Sequence, residues 1–211
     1  VKLASEQPLL NTRTNSGRLI SRSIAGHKWN IDISYNPMTR EEFEPVNSFI
    51  MQQKGSLQPF YVSLPQYRVP RDPTFAAFAA SNVFIALTDV SLDGIQDNGI
   101  AGQKTMVVRS QTAGGYTSSN GTAKPGDIFT ITDAGDFRHT KVYQITRVEI
   151  DGTHLTNGTV TADDQLLHFT PPLTRTLTVN SIINFHDPKF RVIFASDLVE
   201  YSLNTNNLYS F

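Results

Sequence analysis

The chain has 211 residues, of which 39% are hydrophobic and 18% charged, and its formal net charge is -1. These values exclude a chain that is disordered by composition, and they argue against a protein that binds nucleic acid with its whole surface. The sequence has no cysteine, which excludes disulfides and thiolate metal sites. No stretch is long and apolar enough to span a membrane, and residues 1–10 lack the pattern of a secretory signal. We therefore expect a globular protein that is assembled in a reducing cytoplasm.

The middle of the chain differs in charge from its two ends. Residues 1–80 and 186–211 together carry 11 Lys and Arg against 9 Asp and Glu, a balance of +2. Residues 81–185 carry 7 against 10, a balance of -3. The difference indicates that the middle is a separate part of the fold.

The first predicted elements are an arm and a strand. Residues 1–17 are polar and aperiodic, which predicts an extended arm. In HKWNIDISY, apolar residues alternate with polar ones from Trp29 to Tyr35, which predicts a half-buried strand. The preceding GRLISRSI is predicted to pair with this strand across a turn at Ala25 and Gly26.

A single helix is predicted next, within TREEFEPVNSFIMQQKG. Thr39 and Glu42 have the spacing of a capping box, and Gly55 marks the end of the helix. Because an interior proline removes a backbone hydrogen bond, we expect the regular helix to begin near Pro45. Its apolar stripe comprises Phe43, Val46, Phe49 and Ile50.

Strands dominate the remainder. QPFYVSLP is predicted to turn Phe60, Val62 and Leu64 inward, and three prolines at 65, 70 and 73 then mark a boundary. From about residue 83 onward, short strands separated by glycine-containing turns predict a small barrel or sandwich. The predicted strands are NVFIAL, KTMVVR, DIFTIT, KVYQITRV, LLHFTP and LTVNSIINF. Residues 190–211 predict two or three more strands, with the NTNN turn between the last two.

Motifs that would indicate catalysis are missing from the sequence. It lacks a nucleophile elbow and both glycine-rich phosphate loops, and its five histidines are scattered. For His139 beside Asp136, a solvated turn is favoured over a functional site. Asp163 and Asp164 are better explained as a turn than as an acid/base pair. DGIQDNG lacks the ligands of a calcium loop. We expect no enzyme, no cofactor and no metal.

Three aromatic residues offer an alternative function. Phe129, Phe137 and Tyr143 would form a stacking platform for sugars or bases if they shared an outer face of the barrel. Aromatic residues on strands more often belong to the core. The negative balance of residues 81–185 also argues against nucleic acid.

Taken in order, the segments resemble the distal tail protein (Dit) family of long-tailed bacteriophages, the siphophages. The frame HKWNIDISYNPMTREEFEPVNSFIMQQKG followed by FYVSLPQY is similar to the start of that family. The frames KPGDIF, HTKVYQIT and FTPPL are similar to its second half, and FRVIFASDLVEYSLNTNNLYSF to its closing strands. The residues that carry the resemblance are Trp29, Pro37, Thr39, Arg40, Gly55, Pro65, Gly126, Asp127, Lys141, Val142, Tyr143, Pro172 and Leu173.

The resemblance implies a mainly β fold. It implies a tail-tube-like β-sandwich with one helix, built from both chain ends, and an inserted OB-like β-barrel. The corresponding domains are residues 1–82 with 186–211, and residues 83–185. In the barrel, DAGDFRH is expected to form a loop that serves solvation or contact with a neighbouring tail protein.

The resemblance also implies a structural protein of the virion. Its members form a hexameric ring at the distal end of the tail, in the baseplate region, and leave a channel through which DNA passes without specific binding. The implied partners are further copies of the chain, the tail-tube protein, hub and tip proteins, and side fibres. The alternative is an OB-like module of a tail or baseplate protein that binds carbohydrate or single-stranded nucleic acid.

Overall fold

The computed structural model describes residues 1–24, 26–87, 99–111, 118–150, 164–198, 202–203 and 208–210. Among these residues, twice as many lie in strands as in helices, 37% against 18%, so the fold is mainly β as predicted. The strands are β1 (Lys2–Glu6), β2 (Leu9–Arg13), β3 (Leu19–Ser23), β4 (Lys28–Asp32), β5 (Phe60–Ser63), β6 (Phe84–Ala86), β7 (Thr105–Ser110), β8 (Ile128–Thr132), β9 (Val142–Ile150), β10 (Gln165–Thr170), β11 (Ile182–Asn184), β12 (Lys189–Val192), β13 (Ser202–Leu203) and β14 (Tyr209–Ser210). The helices are α1 (Arg40–Gln53) and α2 (Pro73–Ser81), and short 3-10 turns cover Gly55–Leu57, Pro65–Tyr67 and Ser118–Asn120.

The chain forms two compact units. The first combines residues 1–58 with 193–211, and the second comprises residues 59–192. The two chain ends therefore share one unit, and the barrel lies in the other. The domain limits expected from the sequence, at 82/83 and 185/186, both fall inside the second unit.

The first unit begins with one long hairpin. β1 pairs antiparallel with β4, and β2 pairs antiparallel with β3. The chain reverses at residues 14–18, where Gly17 has a φ of +81° and its N–H donates to the Thr14 carbonyl at 2.9 Å. Two predictions were therefore wrong: residues 1–17 contain strands, and β3 pairs with β2 instead of β4. The turn at TNSG fixes this register because glycine tolerates the left-handed backbone conformation.

Helix α1 begins earlier than the sequence indicated. The Glu42 carboxylate accepts hydrogen bonds from the Thr39 N–H at 3.0 Å and the Thr39 hydroxyl at 2.9 Å, which confirms the capping interaction. The first residue of the helix is Arg40, and Pro45 lies within it. A proline there removes one hydrogen bond, while the cap and the ion pair between Arg40 and Glu44 at 2.6 Å hold the first turn. Phe43 and Ile50 are buried, whereas Phe49 is exposed.

The C-terminal segment packs on both ends of α1. The Phe43 ring stacks on Tyr209 with centroids 4.5 Å apart, and Tyr209 also forms a backbone bridge with Met38. At the other end, the Asp197 carboxylate accepts hydrogen bonds from the Ser56 N–H at 2.9 Å and hydroxyl at 2.6 Å. Besides α1, the described part of this unit contains three two-stranded ladders. The predicted sandwich of two packed sheets stays a prediction.

The second unit contains a closed six-stranded barrel with the order β10-β7-β6-β11-β8-β9. All six pairings are antiparallel, and the register shifts once, between His168 and Phe169. A barrel was predicted for this region, although nothing in this topology by itself identifies an OB fold. Beside the barrel, β5 pairs antiparallel with β12.

The barrel interior is filled by aromatic and aliphatic side chains. The Phe129 ring lies 5.4 Å from Tyr143 and 5.5 Å from Phe169, measured between centroids. Phe185 joins this cluster and contacts Phe75 of α2 at 5.2 Å. α2 therefore closes the barrel core.

Helix α2 was missed by the sequence prediction, which placed a proline-rich boundary there. The Asp72 carboxylate caps it by accepting hydrogen bonds from the Thr74 and Phe75 N–H groups at 3.0 and 3.2 Å. Pro73 occupies the first turn, where its missing N–H costs nothing. The Asp-Pro pair was therefore a helix start.

Candidate functional site: an exposed hairpin and a barrel cavity

The hairpin formed by β1 to β4 exposes apolar side chains to an unusual extent. Every residue of β2 is exposed. The exposed fractions are 56% for Leu9, 58% for Leu10, 57% for Leu19, 49% for Ile20 and 48% for Ile24. Apolar clusters of this kind on a polar element mark interaction sites.

These side chains lie on both faces of the β2–β3 ribbon. Leu9 is opposite Ser23 and Leu19 is opposite Arg13, so both leucines project to one face. Leu10 is opposite Arg22 and Ile20 is opposite Thr12, which places this pair on the other face. A two-stranded ribbon is marginally stable on its own, because it has no buried face. The arrangement suits a ribbon that is covered on both faces by other molecules.

The hairpin is also basic. Residues 1–32 carry five Lys and Arg against two Asp and Glu, a net charge of +3. The other residues of the same unit, 33–58 and 193–211, carry two against five, a net charge of -3. Opposite net charges on two parts of the same unit favour association between copies of the chain.

The barrel unit presents a second feature, the loop at 133–140 between β8 and β9. The Asp133 carboxylate accepts hydrogen bonds from the Gly135 N–H at 2.8 Å, the Thr178 N–H at 3.1 Å and the Thr178 hydroxyl. Burial acts to raise the pKa of Asp133, but these hydrogen bonds outweigh it and hold the pKa below its usual value. The loop is thereby fixed to residues 174–180.

A second carboxylate reinforces this connection. Asp136 accepts a hydrogen bond from the Arg138 N–H at 3.0 Å and pairs with the Arg175 guanidinium. The Arg138 backbone hydrogen bond and the Arg175 contacts lower the pKa of Asp136, although burial opposes them. Both carboxylates are therefore ionised and already occupied by donors from the loop itself.

His139 lies inside this structure. It is only 4% exposed, so the solvated turn favoured from the sequence was wrong. Its Nε2 is 2.8 Å from the Tyr143 hydroxyl, which in turn lies 3.2 Å from the Thr174 hydroxyl. Its Nδ1 is buried, and none of the described residues forms a hydrogen bond with it. Burial lowers the pKa of His139, so the ring is neutral near pH 7.

An open cavity of about 280 Å³ lies beside this loop. It is lined by Tyr61, Thr130, Ile131, Thr132, Asp133, Asp136, Phe137, His139, Thr140 and Lys189. The Phe137 ring is 87% exposed, whereas Phe129 and Tyr143 are fully buried in the core. The predicted platform of Phe129, Phe137 and Tyr143 was therefore wrong, since two of the three rings point into the barrel.

The other acidic candidates have structural partners or lie outside the described residues. Asp164 forms a bidentate ion pair with Arg109, with Nε–Oδ1 and Nη2–Oδ2 distances of 2.7 Å. Asp163, most of the DGIQDNG segment and the NTNN turn are not among the described residues. Within the described residues, no group of three or more His, Asp or Glu side chains is arranged to hold a metal ion.

Residues 1–67 match the family model described as "Distal tail protein pb9, A domain, N-terminal". This match supports a phage distal tail protein. It covers the hairpin, α1 and β5, and thus the same segment that carries the exposed apolar side chains. A search of curated proteins found no match. In the described part of the chain, no helix is long and apolar enough to cross a membrane.

In the first unit, the residues that carry the resemblance to the family occupy structural positions. Trp29 is half-buried in β4 opposite Ser5, and Pro37 lies between β4 and α1. Thr39 caps α1 and Arg40 is its first residue. Gly55 has a φ of +65°, and a Cβ there would lie 2.6 Å from Asp197 Oδ1. Only glycine allows this approach of the C-terminal segment to the end of α1.

The remaining motif residues lie in the barrel unit. Pro65 begins the 3-10 turn after β5, and Gly126, with a φ of +99°, precedes β8. Asp127 is buried and accepts hydrogen bonds from the Arg71 N–H at 3.1 Å and the Lys124 N–H at 2.8 Å. Tyr143 and Leu173 meet in the core, Val142 is buried at the start of β9, and Lys141 and Pro172 are half-buried.

The residues of the exposed surface were missed from the sequence. The sequence did contain one indication of it: two apolar pairs, Leu9-Leu10 and Leu19-Ile20, lie on either side of the TNSG turn. Neither segment alternates, because an element exposed on both faces has no buried side to impose a period. Tyr61, Phe137 and Lys189 of the cavity come from β5, a loop and β12, so no local pattern links them.

Proposed function

We propose that the protein forms a hexameric ring at the distal end of a phage tail. The ring would join the tail tube to the hub and tip proteins and leave a channel for DNA. The observation that carries the proposal is the hairpin of residues 2–32, which exposes apolar side chains on both faces. The family match over residues 1–67 supports it, because it covers this hairpin.

The hairpin supports assembly for an energetic reason. Burial of apolar surface contributes about 25 cal/mol per Å², and these side chains do not obtain it within the described part of their own chain. Among the described residues, no further strand pairs with either edge of the β2–β3 ribbon, so a neighbouring strand could pair with its backbone groups. A neighbouring copy on each face would supply both contributions at once.

The charge distribution supports a head-to-tail contact between copies. The hairpin carries +3 and the remainder of its unit carries -3. Contact between two different surfaces repeats around an axis and closes into a ring when the rotation fits. Because the attraction is partly electrostatic, assembly is expected to weaken as salt is added.

The role in the virion follows from the family. The family is a structural component of the phage tail, which supports a structural role without catalysis and a location in the virion. Contacts with the tail-tube protein, with the hub and tip, and with side fibres belong to this proposal. DNA would pass through the ring without specific binding, consistent with an overall charge of -1.

The test is the solution mass of the purified chain, by light scattering at high protein concentration and low salt, with negative-stain images of the same fraction. We expect rings with an open centre. Replacing Leu10 and Ile20 together with Asn should dissociate them, and so should replacing Leu9 and Leu19, because each pair removes the contact on one face of the ribbon.

The matched control replaces Val69 and Val179, which are 51% and 73% exposed on the barrel unit, with Asn. This variant should assemble as the unmodified protein does. A compact monomer under all of these conditions would contradict self-assembly. Rings that persist in both hairpin variants would show that the hairpin is not the contact.

A further inference from the structure

A second cluster of exposed apolar side chains lies at the C-terminal end of α1. The exposed fractions are 65% for Met51 in the last turn of α1, 71% for Leu57 in the 3-10 turn that follows, and 70% for Leu198 in the C-terminal segment. We call these three residues the α1-end patch. Apolar side chains that are exposed singly need no explanation, whereas a cluster marks an interaction surface. We propose that the α1-end patch receives the β2–β3 ribbon of the next copy of the chain, an inference that rests on the proposed assembly into a ring.

The patch is held in place by contacts within its own unit. Asp197 Oδ1 accepts hydrogen bonds from the Ser56 N–H at 2.9 Å and the Ser56 hydroxyl at 2.6 Å, and these bonds lower the pKa of Asp197. The absence of a side chain at Gly55 allows this approach, because a Cβ there would lie 2.6 Å from Asp197 Oδ1. Leu57 and Leu198 each follow one residue of the hydrogen-bonded pair, so both lie at the same end of α1. A surface that is already ordered binds a partner without the cost of ordering it.

The ribbon and the patch are alike in apolar character and opposite in charge. Each face of the ribbon exposes two leucine or isoleucine side chains. Residues 7–24, which contain the ribbon and its turn, carry three arginines and no Asp or Glu, a net charge of +3. Residues 40–57 and 193–198, which contain α1 and the patch, carry two Lys and Arg against four Asp and Glu, a net charge of -2. Apolar contact combined with opposite charge is typical of specific interfaces between proteins.

These observations favour a second copy of the chain as the partner of the patch. A ring requires two different surfaces on each copy, so that one surface contacts the other surface of the neighbour. The ribbon is the first of these surfaces in the proposed assembly. The α1-end patch lies on the same unit of the chain and has the charge that the ribbon lacks. Each copy thus presents its ribbon to one neighbour and its patch to the other.

The first test mixes two variants of the full chain, each altered on one surface. The patch variant combines Leu57→Asn with Leu198→Asn. The ribbon variant replaces all four exposed residues of the ribbon with Asn, namely Leu9, Leu10, Leu19 and Ile20. Each variant alone should stay monomeric at concentrations about tenfold above those at which the unmodified chain assembles. An equal mixture should form a dimer with one copy of each variant and no ring, because one intact ribbon then meets one intact patch.

The second test uses disulfide formation between chains, which the absence of native cysteine makes specific. Chains with Leu57→Cys are mixed with chains that carry either Leu9→Cys or Leu10→Cys, oxidised, and separated on a non-reducing gel. A disulfide requires Cα atoms within about 7 Å, and adjacent residues of a strand project to opposite faces. A patch that covers one face of the ribbon should therefore form a disulfide with one of these two positions and not with the other. Val179→Cys, at an exposed position of the barrel unit, replaces Leu57→Cys as the matched control and should form no disulfide with either.

The outcomes separate this inference from the proposed function. If the patch variant still forms rings and Leu57→Cys gives no more disulfide than Val179→Cys does, the inference is overturned and the ring stands. A disulfide from one face of the ribbon in a protein that forms no rings would support the contact and contradict the ring. A monomer that gives no disulfide would contradict both.

Discussion

The barrel and the hairpin are both antiparallel β structure. They differ in whether the strand edges are paired and the apolar side chains are buried within the same chain. The six barrel strands close on one another, and their inward side chains form a continuous core. The β2–β3 ribbon has two open edges, and its apolar side chains face solvent on both sides. A closed barrel gains its stability within one chain. Within the described residues, the ribbon leaves apolar surface and backbone groups exposed, and the proposed assembly depends on this difference from the barrel.

Truncation of one apolar side chain in each region should separate these roles most clearly. Phe129→Ala opens a cavity among fully buried rings and should destabilise the barrel by about 3–5 kcal/mol. Leu10→Ala removes an exposed side chain and should change the stability of the monomer by less than about 0.5 kcal/mol. Hydrogen exchange with mass spectrometry would assign each loss to a segment. Equal losses in the two variants would contradict the distinction between the regions.

Substitutions of glycine in the two regions should also differ in their effect on stability, by less than Phe129→Ala and Leu10→Ala do. At Gly121, with a φ of +70°, a Cβ would lie 2.6 Å from Asp72 Oδ1 and 2.8 Å from the Phe75 nitrogen. Gly121→Ala should therefore disturb the cap of α2 and lower the free energy of unfolding by about 2–3 kcal/mol, as measured by thermal unfolding. Gly17 at the hairpin tip also has a positive φ, but nothing lies within 4 Å of its Cβ position.

Gly17→Ala is therefore the control for Gly121→Ala. It should cost only the backbone strain, about 1 kcal/mol. If Gly17→Ala proved the more harmful of the two, the hairpin tip would be packed against something in solution, and the measured mass would have to be greater than that of a monomer.

Sequence patterns predicted those elements whose signals are local. The capping box of Thr39 and Glu42 located α1, and short strand-like runs separated by glycine-containing turns located most of the barrel strands. β1 and β2 were missed and β3 was given the wrong partner, since neither face of the β2–β3 ribbon is buried. α2 was missed because three prolines suggested a loop, although Asp72 and Pro73 are a cap and a first-turn residue. The burial of His139 depends on Tyr143 and on Thr174, which is 31 residues beyond Tyr143, and no local pattern encodes that contact.

Lowering the pH should destabilise the barrel but not the hairpin, by a smaller amount than the substitutions above, because the effect depends on His139. Burial depresses the pKa of His139 in the folded barrel, and the nearby carboxylates of Asp133 and Asp136, opposed by Arg175, do not offset it. Below the unfolded pKa of about 6.5, the unfolded chain therefore binds a proton that the folded chain does not. The stability of the barrel should fall as the pH decreases from about 6.5, by at most about 1.4 kcal/mol per pH unit, until the folded pKa is reached.

The matched variant is His139→Gln, which retains a polar group near the Tyr143 hydroxyl and cannot titrate. Its thermal midpoint should depend less on pH between about pH 7 and pH 5 than that of the unmodified protein. Below the folded pKa of His139 the two proteins should have the same slope, because the remaining loss, from Asp133 and Asp136 with their lowered pKa values, is common to both. Hydrogen exchange in residues 2–32 should not respond to the substitution at either pH, since His139 belongs to the barrel unit. Identical pH profiles for the two proteins would mean that His139 is protonated in the folded barrel without penalty, and that its surroundings are more open to water than a 4% exposed side chain allows.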